Sequence, residues 1–143
     1  MKIMFWMTAV GLLIITPSTN AQDEDENLYQ FIVGRYQIIG RFPDSSDPYT
    51  GALTVSYENA QLTIVRNVNG KKINAVGKIV EAVDQVKVLR ISFTEKSIEY
   101  DGTFLIKSDL DNYGRLSGYI YRRDQKTKSP GLEAWFIDHP DDQ

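Results

Sequence analysis

Catalysis at a protein site needs paired groups, and this sequence offers few. Glu58, Glu95, Glu99, Asp101, Glu133 and Asp138 are the acids that could form a general acid/base pair. Glycoside hydrolysis, for instance, needs two carboxyls roughly 5–10 Å apart across a cleft. Their spacing singles out no pair, because any domain with this many acids brings some together on its surface. Asp109-Leu110-Asp111-Asn112-Tyr113-Gly114 begins like a calcium loop, with alternate oxygen ligands before a glycine turn. The likeness ends there. Tyr113 holds the fifth position and Ile120 the twelfth, where a bidentate Glu belongs, so the segment reads as a hairpin turn. His139 is the single histidine and has no partner at metal-ligand spacing. With no cysteine at all, thiolate zinc sites, cysteine nucleophiles, disulfide scaffolds and a lipid-modified N-terminal cysteine are excluded. No Gly-x-Ser-x-Gly, phosphate loop or dinucleotide fingerprint occurs. The expectation is a protein that is not an enzyme and carries neither cofactor nor metal.

Residues suited to binding are better represented. Tyr36, Tyr57, Tyr100 and Trp135 lie on expected strands, as do Phe93 and Phe104. Such side chains either fill a core or supply apolar walls with polar tips, the composition of a small-molecule pocket. Arg66 follows Leu62 and Ile64 on the apolar parity and is expected to point inward, whereas Arg90 opposes Leu89, Ile91 and Phe93. A buried guanidinium must be paired, either with a carboxylate such as Glu99 or Glu133 or with the anionic group of a ligand. Tyr119 and Tyr121 alternate against Gly118 and Ile120, which puts them on the outer face. There they suit a protein contact or ordinary cross-strand pairing.

These residues need an address and a scaffold. Met1-Lys2 precedes an apolar run from Ile3 to Ile15 that is shorter than the about 20 residues needed to cross a bilayer. Pro17 and the small residues Thr19 and Ala21 follow, so residues 1–21 read as a secretory signal peptide cleaved after Ala21, with an uncleaved anchor as the alternative. The expected product is exported, periplasmic or secreted. The Ala-Gln junction and the absence of Asn-x-Ser/Thr sequons are compatible with a bacterial origin. Cleavage leaves one domain's worth of chain and, by removing Lys2, takes the formal charge of −3 one unit lower. That acidity argues against a nucleic-acid partner. Residues 22–30, containing Asp23-Glu24-Asp25-Glu26, read as a self-repelling, solvated segment.

Residues 31–139 form the expected domain, with residues 140–143 as a tail. Its short segments rich in Val, Ile, Tyr and Thr end at Gly, Asn, Asp or Pro. They predict strands over 31–42, 50–57, 61–68, 71–80, 86–94, 97–107, 113–122 and 132–139. Asn69-Gly70 is the strongest hairpin signal, Glu95-Lys96 is expected to turn tightly, and Asp101-Gly102 to bend its strand. Residues 81–85 allow a single helical turn. Eight strands with mostly short links imply an all-β, antiparallel up-and-down barrel, with a β-sandwich as the alternative.

Gly34-Arg35-Tyr36 at the start of the first strand resembles the Gly-x-Trp element of lipocalins, with Tyr for Trp. Gly77, Gly118 and Gly131-Leu132-Glu133 are similar to strands of small avidin-like barrels. The chain thus resembles the calycin superfamily, the eight-stranded barrels that include lipocalins and avidins. In lipocalins a late Arg covers the Trp, a part that Arg122 or Arg123 would take here. Avidins line the biotin site with several Trp; Trp135 is the only one beyond the expected signal peptide, so biotin binding is not implied. The resemblance implies an exported barrel holding a small, largely apolar ligand at an open end near Tyr36, Tyr57, Arg66, Tyr100 and Trp135. The other reading is a filled barrel that binds a protein, as inhibitor or assembly partner, through loops 43–48 and 124–131 or through Tyr119 and Tyr121.

Overall fold

Alternation of side chains along each strand gives this sheet an apolar inner face. The computed structural model describes residues 19–59, 61–106 and 114–138. The strands are β1 (Gly34–Arg41), β2 (Pro48–Glu58), β3 (Gln61–Val68), β4 (Lys71–Glu81), β5 (Lys87–Glu95), β6 (Ile98–Ile106), β7 (Gly114–Arg122) and β8 (Gly131–Ile137). Each pairs antiparallel with the next and β8 returns to β1, giving a closed eight-stranded up-and-down barrel. Closure leaves no strand edge unpaired. Alternate residues such as Tyr36 and Ile38, Leu53 and Val55, and Leu62 and Ile64 are buried, while their neighbours in sequence face outward.

Turn chemistry sets the register. Asn69 and Gly70 both take positive φ, 51° and 74°, as a two-residue type I′ turn requires. The β5–β6 turn sits one residue later than expected, at Lys96 and Ser97, which both have positive φ. A single 3₁₀ turn, Val83–Gln85, occupies the segment that allowed one. At Asp101-Gly102 the β5–β6 and β6–β7 ladders run through without a bulge. The ladder irregularity lies instead between Gly114 and Leu116. Glycine serves close packing in β7: a Cβ on Gly118 would overlap the Thr103 carbonyl oxygen and stand 2.7 Å from the Phe104 Cα. The Asp109–Gly114 turn lies outside the described residues up to Gly114, as do His139 and residues 1–18.

The segment expected to be a solvated acidic run followed by strand is different. Helix α1 spans Thr19–Ile32, and β1 begins only at Gly34, whose φ of 152° is unfavourable for any side-chain-bearing residue. Leu28, Phe31 and Ile32 recur at helical spacing, and Ile32 is fully buried. Tyr29 stacks on Tyr57 with ring centroids 4.5 Å apart, and its hydroxyl accepts from the Ile79 amide at 3.4 Å. Asp25 pairs with Lys87 at 3.1 Å. A helix this short is marginal in isolation, so these contacts with one end of the barrel sustain it. All of them lie C-terminal to the Ala21-Gln22 bond. Among the described residues no helix is long and apolar enough to cross a membrane.

Candidate functional site

The residues expected at one open end occupy three levels. Tyr57 is at the end covered by α1. Tyr36, Arg66 and Trp135 are fully buried between the ends. Tyr100 is at the far end, its ring stacked on Phe93 at 5.2 Å and near Phe42 at 6.0 Å. They do not form one constellation.

Arg66 points inward, as its parity requires, and its partner is Glu133. The pair is bidentate, Nη1 to Oε1 at 2.7 Å and Nη2 to Oε2 at 2.6 Å, with both side chains fully buried. Trp135 Nε1 donates to Oε1 at 2.6 Å, and the Tyr49 hydroxyl donates to Oε2. One carboxylate thus gathers four donors, the arrangement that makes a buried charge tolerable. Burial pulls the Arg66 pKa down, but attraction and hydrogen bonding to Glu133 and Tyr49 outweigh it and the pKa lies above its ordinary value. The guanidinium also lies 4.7 Å from the Phe93 ring centroid. For the Tyr49 phenol burial acts in the other direction and is the main force raising its pKa, with Glu133 adding to it.

Rings fill the space toward α1. Trp135 lies 4.8 Å from Phe104 and 5.7 Å from Tyr36, whose hydroxyl donates to the Ile32 carbonyl at 2.9 Å. Burial pushes the Tyr36 pKa up to about 12, against the opposing charge of Arg115. A raised phenol pKa favours the neutral form in the folded state, so its stabilisation is complete below pH about 10, the unfolded value, and falls as pH rises toward 12. Wild type is expected to lose about 2 kcal/mol more than Tyr36→Phe over that interval, most of what a two-unit shift supplies at about 1.4 kcal/mol per pKa unit. Urea unfolding of both proteins across this range is the check, and parallel curves would remove the assignment.

At the α1 end it is Arg115, not Arg122 or Arg123, that supplies the guanidinium. Arg115 lies 4.7 Å over the Phe31 ring and donates to the Phe31 carbonyl at 3.1 Å. Arg122 pairs in register with Tyr100 at the other end, and Arg123 binds Asp101 at 2.6 Å and Glu99 at 3.3 Å. The hydrogen bonds from Arg123 hold the Asp101 carboxyl below its usual pKa, and Ser92 Oγ donates to it as well. Asp138 pairs with Arg35. The acids singled out in the sequence for possible acid/base work thus include several that answer nearby cations.

Tyr119 and Tyr121 are on the outer face, 48% and 43% exposed, with ring centroids 6.4 Å apart. They do not stand alone. Ile39, Leu105 and Leu132 are exposed on the same side of the barrel. The ladder places Leu105, Ser117, Ala134 and Ile39 in one cross-strand row, and Thr103, Tyr119, Leu132 and Arg41 in the next. Large residues flank small ones, forming a groove of about 940 Å³ across β6, β7, β8 and β1. On the remaining strands the outward positions include Thr54, Thr63, Asn67, Asn74, Lys78 and Arg90, with Val76 an exposed apolar residue among them. Ile39, Leu105 and Leu132 were missed in the sequence because each is the off-parity apolar residue of its strand. Those interruptions of the alternation were the available signal.

The sequence matches no family model, and no curated protein is significantly similar to it. The architecture, a closed antiparallel barrel of eight strands, is compatible with a calycin-like fold.

Proposed function

We propose that the chain is an exported, non-catalytic protein-binding module acting through the outer face of β6, β7, β8 and β1. The observation that carries this reading is the contiguity of Ile39, Leu105, Tyr119, Tyr121 and Leu132 outside a barrel whose interior holds a cluster of buried side chains. Single exposed apolar residues are ordinary, whereas a contiguous patch marks an interaction surface. Tyrosine adds large contact area with a polar tip. A closed barrel offers no edge for strand addition, so a partner must engage side chains.

The competing reading, a carrier of a small apolar molecule within the barrel, draws on Tyr36, Arg66 and Trp135. Those residues are themselves packed and hydrogen-bonded, so a ligand there would have to displace them. The export proposal rests on residues 1–21 as a signal segment, with a periplasmic or extracellular destination.

A photoreactive phenylalanine analogue at position 119, irradiated in the producing cells, is expected to give a protein adduct of defined mass. The same analogue at position 67, whose cross-strand neighbour is Lys72, should give none, and adding Leu105→Lys should abolish the adduct from position 119. Equal adducts from both positions, or none, would overturn the reading. A native mass spectrum showing an extra few hundred daltons, lost on denaturation, would favour the carrier instead.

A further inference from the structure

We infer that the occupant of the outer groove is a short, extended aliphatic segment of a protein partner that carries a carboxylate, received at the groove's end by Arg41 and Lys128. This rests on the reading of that face as a protein-contact surface and adds the chemistry of what binds there.

The distribution of charge is the reason. Arg41 is the charged residue lining the groove whose strand position faces outward, because Glu133, which also borders it, turns its carboxylate inward to Arg66. Arg41 ends the row that runs through Tyr119 and Leu132. It also borders an adjoining depression of about 520 Å³, lined in addition by Asp44, Lys128 and Ser129. The carboxylate there is already engaged: Asp44 Oδ1 accepts from the backbone amides of Lys128 at 2.9 Å and Ser129 at 2.7 Å. Asp47, in the same loop, lines neither hollow. Among the described residues neither Arg41 nor Lys128 has an acidic partner, in contrast to Arg35, Arg122 and Arg123, which are all paired. With two cations to one carboxylate, an apolar trough that ends in net positive charge complements an apolar segment that ends in a negative one.

The size of that segment follows from sheet geometry. Adjacent strands are about 4.8 Å apart, so crossing from β6 to β1 covers about 14 Å. An extended chain spans that distance in about four residues at roughly 3.3 Å each.

The test is an NMR titration of the purified protein with an N-acetylated aliphatic tetrapeptide bearing a free C-terminal carboxylate, and with its C-terminal amide. The acid is expected to bind about two- to fivefold more tightly at low salt, the range open to an exposed ion pair. It should shift the resonances of Ile39, Leu105 and Leu132, and its advantage should shrink in 1 M salt as the screening length falls. Arg41→Gln should reduce the preference and Arg41→Gln with Lys128→Gln remove it, both leaving the affinity for the amide unchanged, and Leu105→Lys should weaken binding of both peptides. Equal affinities for acid and amide would overturn the charge assignment while leaving the apolar face in place. Binding insensitive to Leu105→Lys, or none of either peptide, would overturn the peptide assignment itself. The adduct from position 119 still reports separately on whether a protein uses the face.

Discussion

Replacing Arg66 by Met is expected to destabilise the barrel by about 3–5 kcal/mol, because it leaves the Glu133 carboxylate buried without a counter-charge. That is a large share of the about 5–15 kcal/mol that holds a typical domain together. Glu133 would keep the hydrogen bonds from Tyr49 and Trp135, but neither donor carries the positive charge that offsets desolvation. Adding Glu133→Leu to Arg66→Met removes the stranded charge and should recover part of the loss. Recovery stays incomplete, since each buried donor left without an acceptor costs about 1–3 kcal/mol. Urea unfolding followed by circular dichroism measures both effects. A loss below about 1 kcal/mol for the single variant, the value ordinary for an exposed pair, would show that the charge finds water.

Trp135→Ala is the second large effect, at about 3–5 kcal/mol for loss of a buried indole. Its ring fills the space between Tyr36 and Phe104, and its Nε1 donates to Glu133 Oε1. Truncation therefore opens a cavity and weakens the polar network at the same time. Trp135→Phe should cost less, keeping most of the ring volume but losing one donor to a charged acceptor, about 1.5–3 kcal/mol. If the Phe variant proves as unstable as the Ala variant, the hydrogen bond outweighs the packing. Surface substitutions such as Leu105→Lys should by contrast stay within about 0.5 kcal/mol of wild type. The inner network and the outer groove can thus be perturbed independently.

The inner network was partly legible in the sequence. Parity along β3 aims Arg66 inward beside Leu62 and Ile64, and the need to pair a buried guanidinium narrows its partners to a few acids, Glu133 among them. What parity cannot supply is depth along the barrel axis. Tyr36, Tyr57, Tyr100 and Trp135 each fall on an expected strand, yet Tyr57 closes β2 while Tyr100 lies near the start of β6, which runs the same way, so the two sit at opposite ends. The helix was hidden for another reason: its apolar residues, Leu28 to Ile32, adjoin an acidic run on one side and a strand on the other. Only the barrel end gives that short stretch something to pack against.

Strand number and order, the Asn69-Gly70 turn, the inward course of Arg66 and the outward course of Tyr119 and Tyr121 are all written into the residue pattern. These follow from the two-residue period of a strand and from backbone sterics at turns, which are local properties. Tertiary structure decided the rest: closure of β8 on β1, the choice of Glu133 for Arg66, the seating of α1 and the joining of Ile39, Leu105 and Leu132 with the tyrosines into one groove. Those features depend on which strands become neighbours and at what register, and that is set by the closed ladder as a whole.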